Sequence, residues 1–417
     1  MGSPYIELTS LPDAISLGQA TTLDVLVKII PPPSDRQRQR PRLNLAVVID
    51  CSSSMAFKER LVYAKAAARQ IVQELTPSDR ISIHTFDQTA QTLLPSTFCS
   101  HKYEIINKIQ TIRLGQGTNL HAGWIEGVNE VNKNSQSDTI NRVILLSDGR
   151  TNRGITNQKT IVSHVENLAQ SRISTTTVGL GNDFSDNLLK TMARGGGGNY
   201  YHLNSPHHLP IIFKKEVQAL VATFGQAVTL GIEPQGDVDV EDVLNDFDLN
   251  PQGRFKLPNL VAGYPFNVVV QLKVEALHQQ TDLCYFRLSW CDGETTESKS
   301  LRVPLRLPMV APPTLQRGAN NPEVQQQVAL MLGARAKKKA IELVDRGNYE
   351  AAHAQLQSAQ ALILRAPASS TMELEIIALE KLEADLRERQ FRQRSHPQAH
   401  PVTIGFDQTK LPWCWNK

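Results

Sequence analysis

Two hydrophobic rhythms alternate along the chain from residue 43 onward. Within "LNLAVVID" (43–50), Leu45, Ala46, Val47, Val48 and Ile49 are an unbroken apolar run of the kind expected for a strand buried on both faces. In "KERLVYAKAAARQIVQEL", Leu61, Ala64, Ala68, Ile71 and Leu75 recur instead on one face of a helix. The alternation continues with strands at "DRISIHTF", a short one at "QTLLP", then "NRVILLSDG", "RISTTTVGLG" and "NYYHLN". Between and after them lie helical segments at "YEIINKIQTI", "TNLHAGWIEGVNEV", "KTIVSHVENLAQ", "SDNLLKTMAR" and "LPIIFKKEVQALVATF". Strands separated by helices of this length predict parallel crossovers and a sheet covered on both faces.

The flanks read differently. "YIELTSL" and "TTLDVLVKII" are extended, and "PPPSDRQRQRPR" ends them. After residue 222 come the strand-like runs "QAVTLGIEP", "GRFKLPN", "FNVVVQLKVEA", "CYFRLSW" and "SKSLRVPLRL", which favour a sandwich. The N-terminal strands are expected to complete that sandwich, so that the α/β segment leaves from within it. From Glu323 to about Arg392 apolar residues return at helical spacing, among them Ala340, Leu343, Val344, Leu356, Leu379, Leu382 and Leu386. "DRGNYEAAHAQLQSAQ" is like the turn and second helix of a tetratricopeptide-type hairpin, with Gly347 ending one helix; one copy predicts a packed hairpin, not a solenoid. The expected division is 1–42 (sandwich strands), 43–222 (α/β domain), 223–312 (β-sandwich), 318–395 (helical) and 396–417 (irregular tail). Trp413 and Trp415 of the tail are expected to rest on the protein's own surface.

Charge is nearly balanced across the 417 residues, with 44 basic against 41 acidic side chains, so nothing points to nucleic acid or an anionic membrane as partner. The cluster Arg36, Arg38, Arg40 and Arg42 lacks interleaved aromatics and reads as a solvated linker. No stretch approaches the ~20 apolar residues of a membrane span, and "MGSPYIELTS" lacks a secretory pattern. Five scattered cysteines suit neither a disulfide framework nor a zinc site. The expectation is a cytoplasmic protein.

Three loops carry the candidate chemistry. If the strands are parallel, Asp50-Cys51-Ser52-Ser53-Ser54, the "GQGTNLHAG" segment with Thr118, and "LLSDG" with Asp148 all lie at the carboxyl edge of the sheet, where open α/β sheets bind ligands. The bland alternative is that Asp50 and the serines cap the next helix. Two carboxylates and three hydroxyls form an all-oxygen donor set for a hard divalent cation, Mg²⁺ first, with Ca²⁺ or Mn²⁺ as alternatives. Hydroxyls neutralise little charge, which leaves such an ion electrophilic toward a carboxylate from outside. His121, one turn after Thr118, would add little to a hard-ion site and is expected at the rim or in packing. The glycines of "VGLGNDF" and "ARGGGGNYY" lack the order of a dinucleotide fingerprint and read as turns. Cys51 is expected to point into the sheet–helix packing.

Asp-x-Ser-x-Ser after the first strand, Thr in a Gly-rich loop and Asp-Gly after a later strand resemble the metal-ion-dependent adhesion site (MIDAS) of von Willebrand factor A (VWA) domains. The resemblance covers about residues 43–222. It implies a Rossmann-like, doubly wound, mostly parallel α/β fold, with Asp50, Ser52, Ser54 and Thr118 as ligands and Asp148 acting through water. Ser53 departs from the family at a position where glycine is common and which does not ligate. The whole arrangement is also similar to bacterial cytosolic A-domain proteins with a β-domain and a helical C-terminus, often likened to calcium-activated chloride channel regulators. The function implied is non-enzymatic, cation-dependent binding of a protein that presents an Asp or Glu. The alternatives are a metal-assisted hydrolase and a regulatory subunit of an AAA-type ATPase or chelatase assembly.

Overall fold

The apolar run at 45–49 lies in a strand with no face left for water. In the computed structural model, which describes residues 3–33, 40–136, 138–148, 151–180, 186–203, 206–279, 281–292, 297–311 and 321–395, three strands precede it: β1 (Tyr5–Leu11), β2 (Ile15–Ser16) and β3 (Thr21–Ile30). A six-stranded sheet follows, made of β4 (Arg42–Asp50), β5 (Arg80–Phe86), β6 (Ala90–Phe98), β7 (Thr139–Ser147), β8 (Ile173–Leu180) and β9 (Gly197–Leu203). Its helices are α1 (Arg60–Glu74), α2 (Lys102–Gln110), α3 (Leu120–Lys133), α4 (Gln158–Gln170), α5 (Asp186–Gly195) and α6 (Leu209–Val221). The strand order is β6-β5-β4-β7-β8-β9, parallel throughout except for the β5–β6 hairpin. Successive β4 side chains divide between the two faces. Leu43, Leu45, Val47 and Ile49 pack with α1, α2 and α6, whereas Ala46 and Val48 pack with α3. Each such Leu, Ile or Val contributes about 1.5–3 kcal/mol by leaving water.

Two local differences from the sequence pattern have physical causes. Strand β6 is longer than "QTLLP" because an edge strand tolerates half-exposed polar residues, which hide its period. Helix α1 starts at Arg60 because Lys58 and Glu59 adopt left-handed φ values of 50° and 55°, which breaks the preceding 3₁₀ turn from the helix.

The sandwich takes strands from both sides of this unit. After it come β10 (Thr223–Pro234), β11 (Val238–Val243), β12 (Phe255–Lys256), β13 (Leu260–Val261), β14 (Phe266–Val274), β15 (Cys284–Asp292), β16 (Ser298–Leu305) and β17 (Met309–Val310). One sheet has the order β1-β3-β14-β11 and the other β12-β10-β15-β16, with β13 also on β10. Strand β3 pairs with β14 from Thr21 opposite Val274 to Ile29 opposite Phe266. The chain therefore leaves the sandwich after β3 and re-enters at β10. Strand β11, "VDVEDV", has an acidic sequence that does not announce a strand, and pairing with β14 at a sheet edge supplies its ladder. Cys284 and Cys291 both lie on β15 and are free thiols.

Of the helices α7 (Pro322–Asp345), α8 (Tyr349–Arg365) and α9 (Ser370–Ser395), α7 lies against β1, β3 and β14 on the outer face of the β1-β3-β14-β11 sheet, and α8 and α9 pack on α7 and on each other. Leu26 and Val269, which point away from the sandwich core, join Leu330, Leu356 and Leu379 in a further core. Gly347, at φ 78°, ends α7 and restarts the chain into α8. Arg40 is not solvated as the linker reading expected, since its guanidinium lies 2.8 Å from the fully buried Asp79, which also accepts from the Leu43 N–H. Arg36, Arg38 and the tail with Trp413 and Trp415 lie outside the described residues. No helix among the described residues is long and apolar enough to cross a membrane.

Helix α3 approaches the sheet through two glycines. A Cβ on Gly123 would stand 2.5 Å from the Phe86 ring, and one on Gly127 would stand 2.6 Å from Val48 Cγ2. Gly127→Leu is accordingly expected to force α3 off the sheet at a cost of about 1–3 kcal/mol or more. Urea unfolding measures this, and an unchanged midpoint would show that α3 does not need the close approach.

Candidate metal centre

The order of β4, β5 and β7 places the candidate residues. The chain runs from β4 to β5 on one side and returns to β7 on the other, so the winding reverses between the carboxyl ends of β4 and β7. That is the topological switch point, where ligands bind in such sheets. Asp50 ends β4 and Asp148 directly follows β7, and both are buried.

Hydrogen bonds stitch the three loops together. The Gly115 N–H donates to the Cys51 carbonyl at 2.7 Å, joining the second loop to the first. Thr118 donates its N–H to Asn152 Oδ1 at 2.9 Å, while its carbonyl accepts from the Asn152 and Arg153 N–H groups at 3.0 and 3.2 Å, joining the second to the third. The Ser147 hydroxyl donates to Asp50 Oδ2 at 2.6 Å, and the Ser52 N–H donates to Oδ1 at 2.8 Å. The Ser52 and Ser54 hydroxyls lie 3.0 Å apart; Ser52 is buried and Ser54 is exposed. The Thr118 side-chain hydroxyl makes no hydrogen bond among the described residues, although the residue is only 3% exposed.

The electrostatics are those of a site short of positive charge. Burial, and then the neighbouring Asp148 carboxylate, push the Asp50 carboxyl up from 3.8 to about 6 against the opposing pull of its hydrogen bonds. Asp148 Oδ2 accepts from Arg60 Nη1 at 3.0 Å in a pair that is almost wholly buried. Its other oxygen, Oδ1, is buried and has no hydrogen-bond partner among the described residues, an arrangement that costs about 1–3 kcal/mol or more if nothing fills it. A small oxygen-loving cation bound here would answer that orphaned oxygen and the strained Asp50 together. Among the described residues no group of three or more His, Cys, Asp or Glu forms a metal cluster. A centre here must therefore recruit the hydroxyls of Ser52, Ser54 and Thr118, which suits Mg²⁺, Ca²⁺ or Mn²⁺ rather than zinc.

The residues that sequence reasoning overlooked are Arg60, Ser147 and Asn152. Arg60 looks like an ordinary solvent-facing position at a helix start, and only the left-handed pair before it turns its guanidinium inward. Ser147 sits at the end of an apolar run, next to an aspartate that claims the eye. Asn152 follows in a turn-like stretch, where an amide carries no signal of its own. His121 is turned aside, with Nε2 3.0 Å from His164 Nδ1. The Cys51 thiol is buried among the helix contacts of β4, and burial pushes it up to about 12.

Comparison with known proteins agrees with this architecture. Residues 44–215 match the family model of the von Willebrand factor type A domain. The Escherichia coli protein YfbK, itself uncharacterized, is 30% identical over 213 residues, 51% of this chain and 36% of its own length. Inter-alpha-trypsin inhibitor heavy chain H1 of Bos taurus is 26% identical over 172 residues, 39% of this chain and 19% of its own length. The chain thus spans about a third of YfbK and about a fifth of the heavy chain. The solved structure of a von Willebrand factor type A protein from Catenulispora acidiphila superposes with a TM-score of 0.72 at 14% identity, covering 91% of this chain and 89% of that one. The ArnB paralog VWA2 of Sulfolobus acidocaldarius superposes with a TM-score of 0.60 at 19% identity, covering 97% of this chain and 100% of that one. The fold thus extends beyond the matched segment into the strands and helices around it. Residues 44–215 form a von Willebrand factor type A domain, set between the strands of a β-sandwich.

Proposed function

We propose that the three loops hold a divalent cation through Asp50, Ser52, Ser54 and Thr118, with Asp148 acting through water. The cation, Mg²⁺ first, takes an Asp or Glu carboxylate of a partner protein as a further ligand. Domains of this family often mediate protein–protein interaction in a metal-dependent way. The observation that carries the reading is the unpartnered, buried Asp148 Oδ1 beside a desolvated Asp50. Arg60 engages Oδ2 and so keeps Asp148 anchored while Oδ1 is left for a metal-bound water.

Isothermal titration calorimetry of Mg²⁺ and Mn²⁺ tests the site. Asp50→Asn removes the charged ligand without changing shape, and cation affinity should fall about tenfold or more, within the range that supporting groups of metal sites command. The metal-free variant should be no less stable than the parent, because a buried charge has gone. Undiminished affinity in Asp50→Asn would sink the assignment.

The elevated Asp50 value sets a pH dependence. In the folded, metal-free chain Asp50 keeps its proton up to about pH 6, whereas the unfolded chain ionises it from 3.8 upward. Folding stability contributed by this group is therefore present below that window and lost as pH rises through it. Cation affinity runs the opposite way, rising as the proton leaves. Titrations at pH 5 and pH 7.5 should show the weaker binding at the lower value, and equal affinities would remove Asp50 from the ligand set.

Arg60→Met should cost the metal-free protein about 3–5 kcal/mol, because it strands a buried carboxylate. Added Mg²⁺ should recover part of that loss in thermal unfolding, and a loss that Mg²⁺ does not touch would place Arg60 outside the charge balance of the centre.

A further inference from the structure

A polar cleft of about 550 Å³ opens beside the proposed cation, lined by Ser53, Gln88, Gln116, Gly117, Asn152 and Arg153. Ser53 lies between two of the hydroxyl donors, and Asn152 holds the backbone of Thr118, so the cleft begins where the cation would end. Gly117 keeps it open. At φ 73° a Cβ there would be strained, and it would stand 2.8 Å from Gln88 Cγ and 3.5 Å from Arg153 Cγ.

We propose that Arg153 is a second anchor on this surface, so that the partner segment carries two carboxylates, one for the cation and one for the guanidinium. The proposal presupposes the cation reading above and adds the class of partner. Arg153 is fixed through its backbone N–H to the Thr118 carbonyl at 3.2 Å, while its exposed guanidinium makes no hydrogen bond or ion pair among the described residues. Arg60, Arg142, Arg194 and Arg335, by contrast, are each paired with a carboxylate. None of the described residues lining the cleft is acidic. Guanidinium and carboxylate match as a planar bidentate pair. The side-chain amides of Gln88 and Gln116 are likewise uncommitted among the described residues. They can both donate to and accept from a peptide backbone running between the two anchors, which favours a polypeptide over a free dicarboxylate.

The test uses the full chain in saturating Mg²⁺, titrated with blocked Asp-(Gly)n-Asp peptides of increasing spacer length, up to about four glycines at ~3.3 Å per extended residue. Controls replace either Asp by Asn. At one or more spacings the di-acidic peptide should bind about fivefold tighter than both controls, the margin expected of an exposed charge pair. Arg153→Gln should erase that margin while leaving the single-acid peptides unchanged. No margin at any spacing, an equal loss for all peptides in Arg153→Gln, or no binding by any peptide at about 5 mM would overturn the proposal. Succinate binding as tightly as the best peptide would overturn the polypeptide partner. Chelation separates the two readings: with metal removed all binding should vanish, and binding that persists with its Arg153 dependence intact would count against the cation alone.

Discussion

Because Leu45–Ile49 is apolar on both faces, β4 has to be covered by helices on both sides, and the remaining layers follow from that requirement. Helices can reach both faces of one strand only if crossovers leave it in both directions. The chain therefore winds to β5 first and returns to β7, and the reversal opens a crevice at the carboxyl ends. Asp50 stands in that crevice as the first polar side chain after the apolar run. The depth of the core and the exposure of the loops thus have one origin, and Gly123 and Gly127 of α3 serve it by letting a helix lie close against β4 and Phe86.

Charge balance governs the crevice. Two buried carboxylates face one buried guanidinium, and burial first, with the neighbouring Asp148 second, makes Asp50 hold its proton well above its ordinary range. Arg60 secures one oxygen of Asp148, and the other has no partner among the described residues. The left-handed backbone at Lys58 and Glu59, costly for residues other than glycine, is what carries Arg60 inward. Local strain and a buried charge thus accompany an arrangement in which one buried carboxylate oxygen has no partner among the described residues.

The sandwich and the helices give this centre a frame. Strand β3 lies between β1 and β14, and its side chains alternate between the sandwich core and the helical layer. Ion pairs of Lys28 with Glu323 and of Arg335 with Asp242 add register at the rim, where exposed pairs contribute modestly. Since the α/β unit leaves from β3 and returns at β10, it is tethered at both ends to one body.

Periodicity along the chain was enough to read the α/β alternation, the flanking strands and the helical end, because burial on a face imposes the same spacing wherever it occurs. Asp50, Ser52, Ser54, Thr118 and Asp148, the donors proposed for a cation, could be named from the sequence because parallel strands would bring their three loops to one carboxyl edge. The structure does place Asp50 and Asp148 at adjacent strand ends. Strand β11 was not legible, because pairing with β14 and not its own acidic pattern makes it a strand. Nor were Arg60, Asn152 and Arg153, whose parts depend on what comes near them from loops remote in the chain. A lone arginine reads the same whether it is solvated, as Arg153 is, or drawn inward, as Arg60 is; only the packed structure decides which carboxylate, if any, stands opposite it.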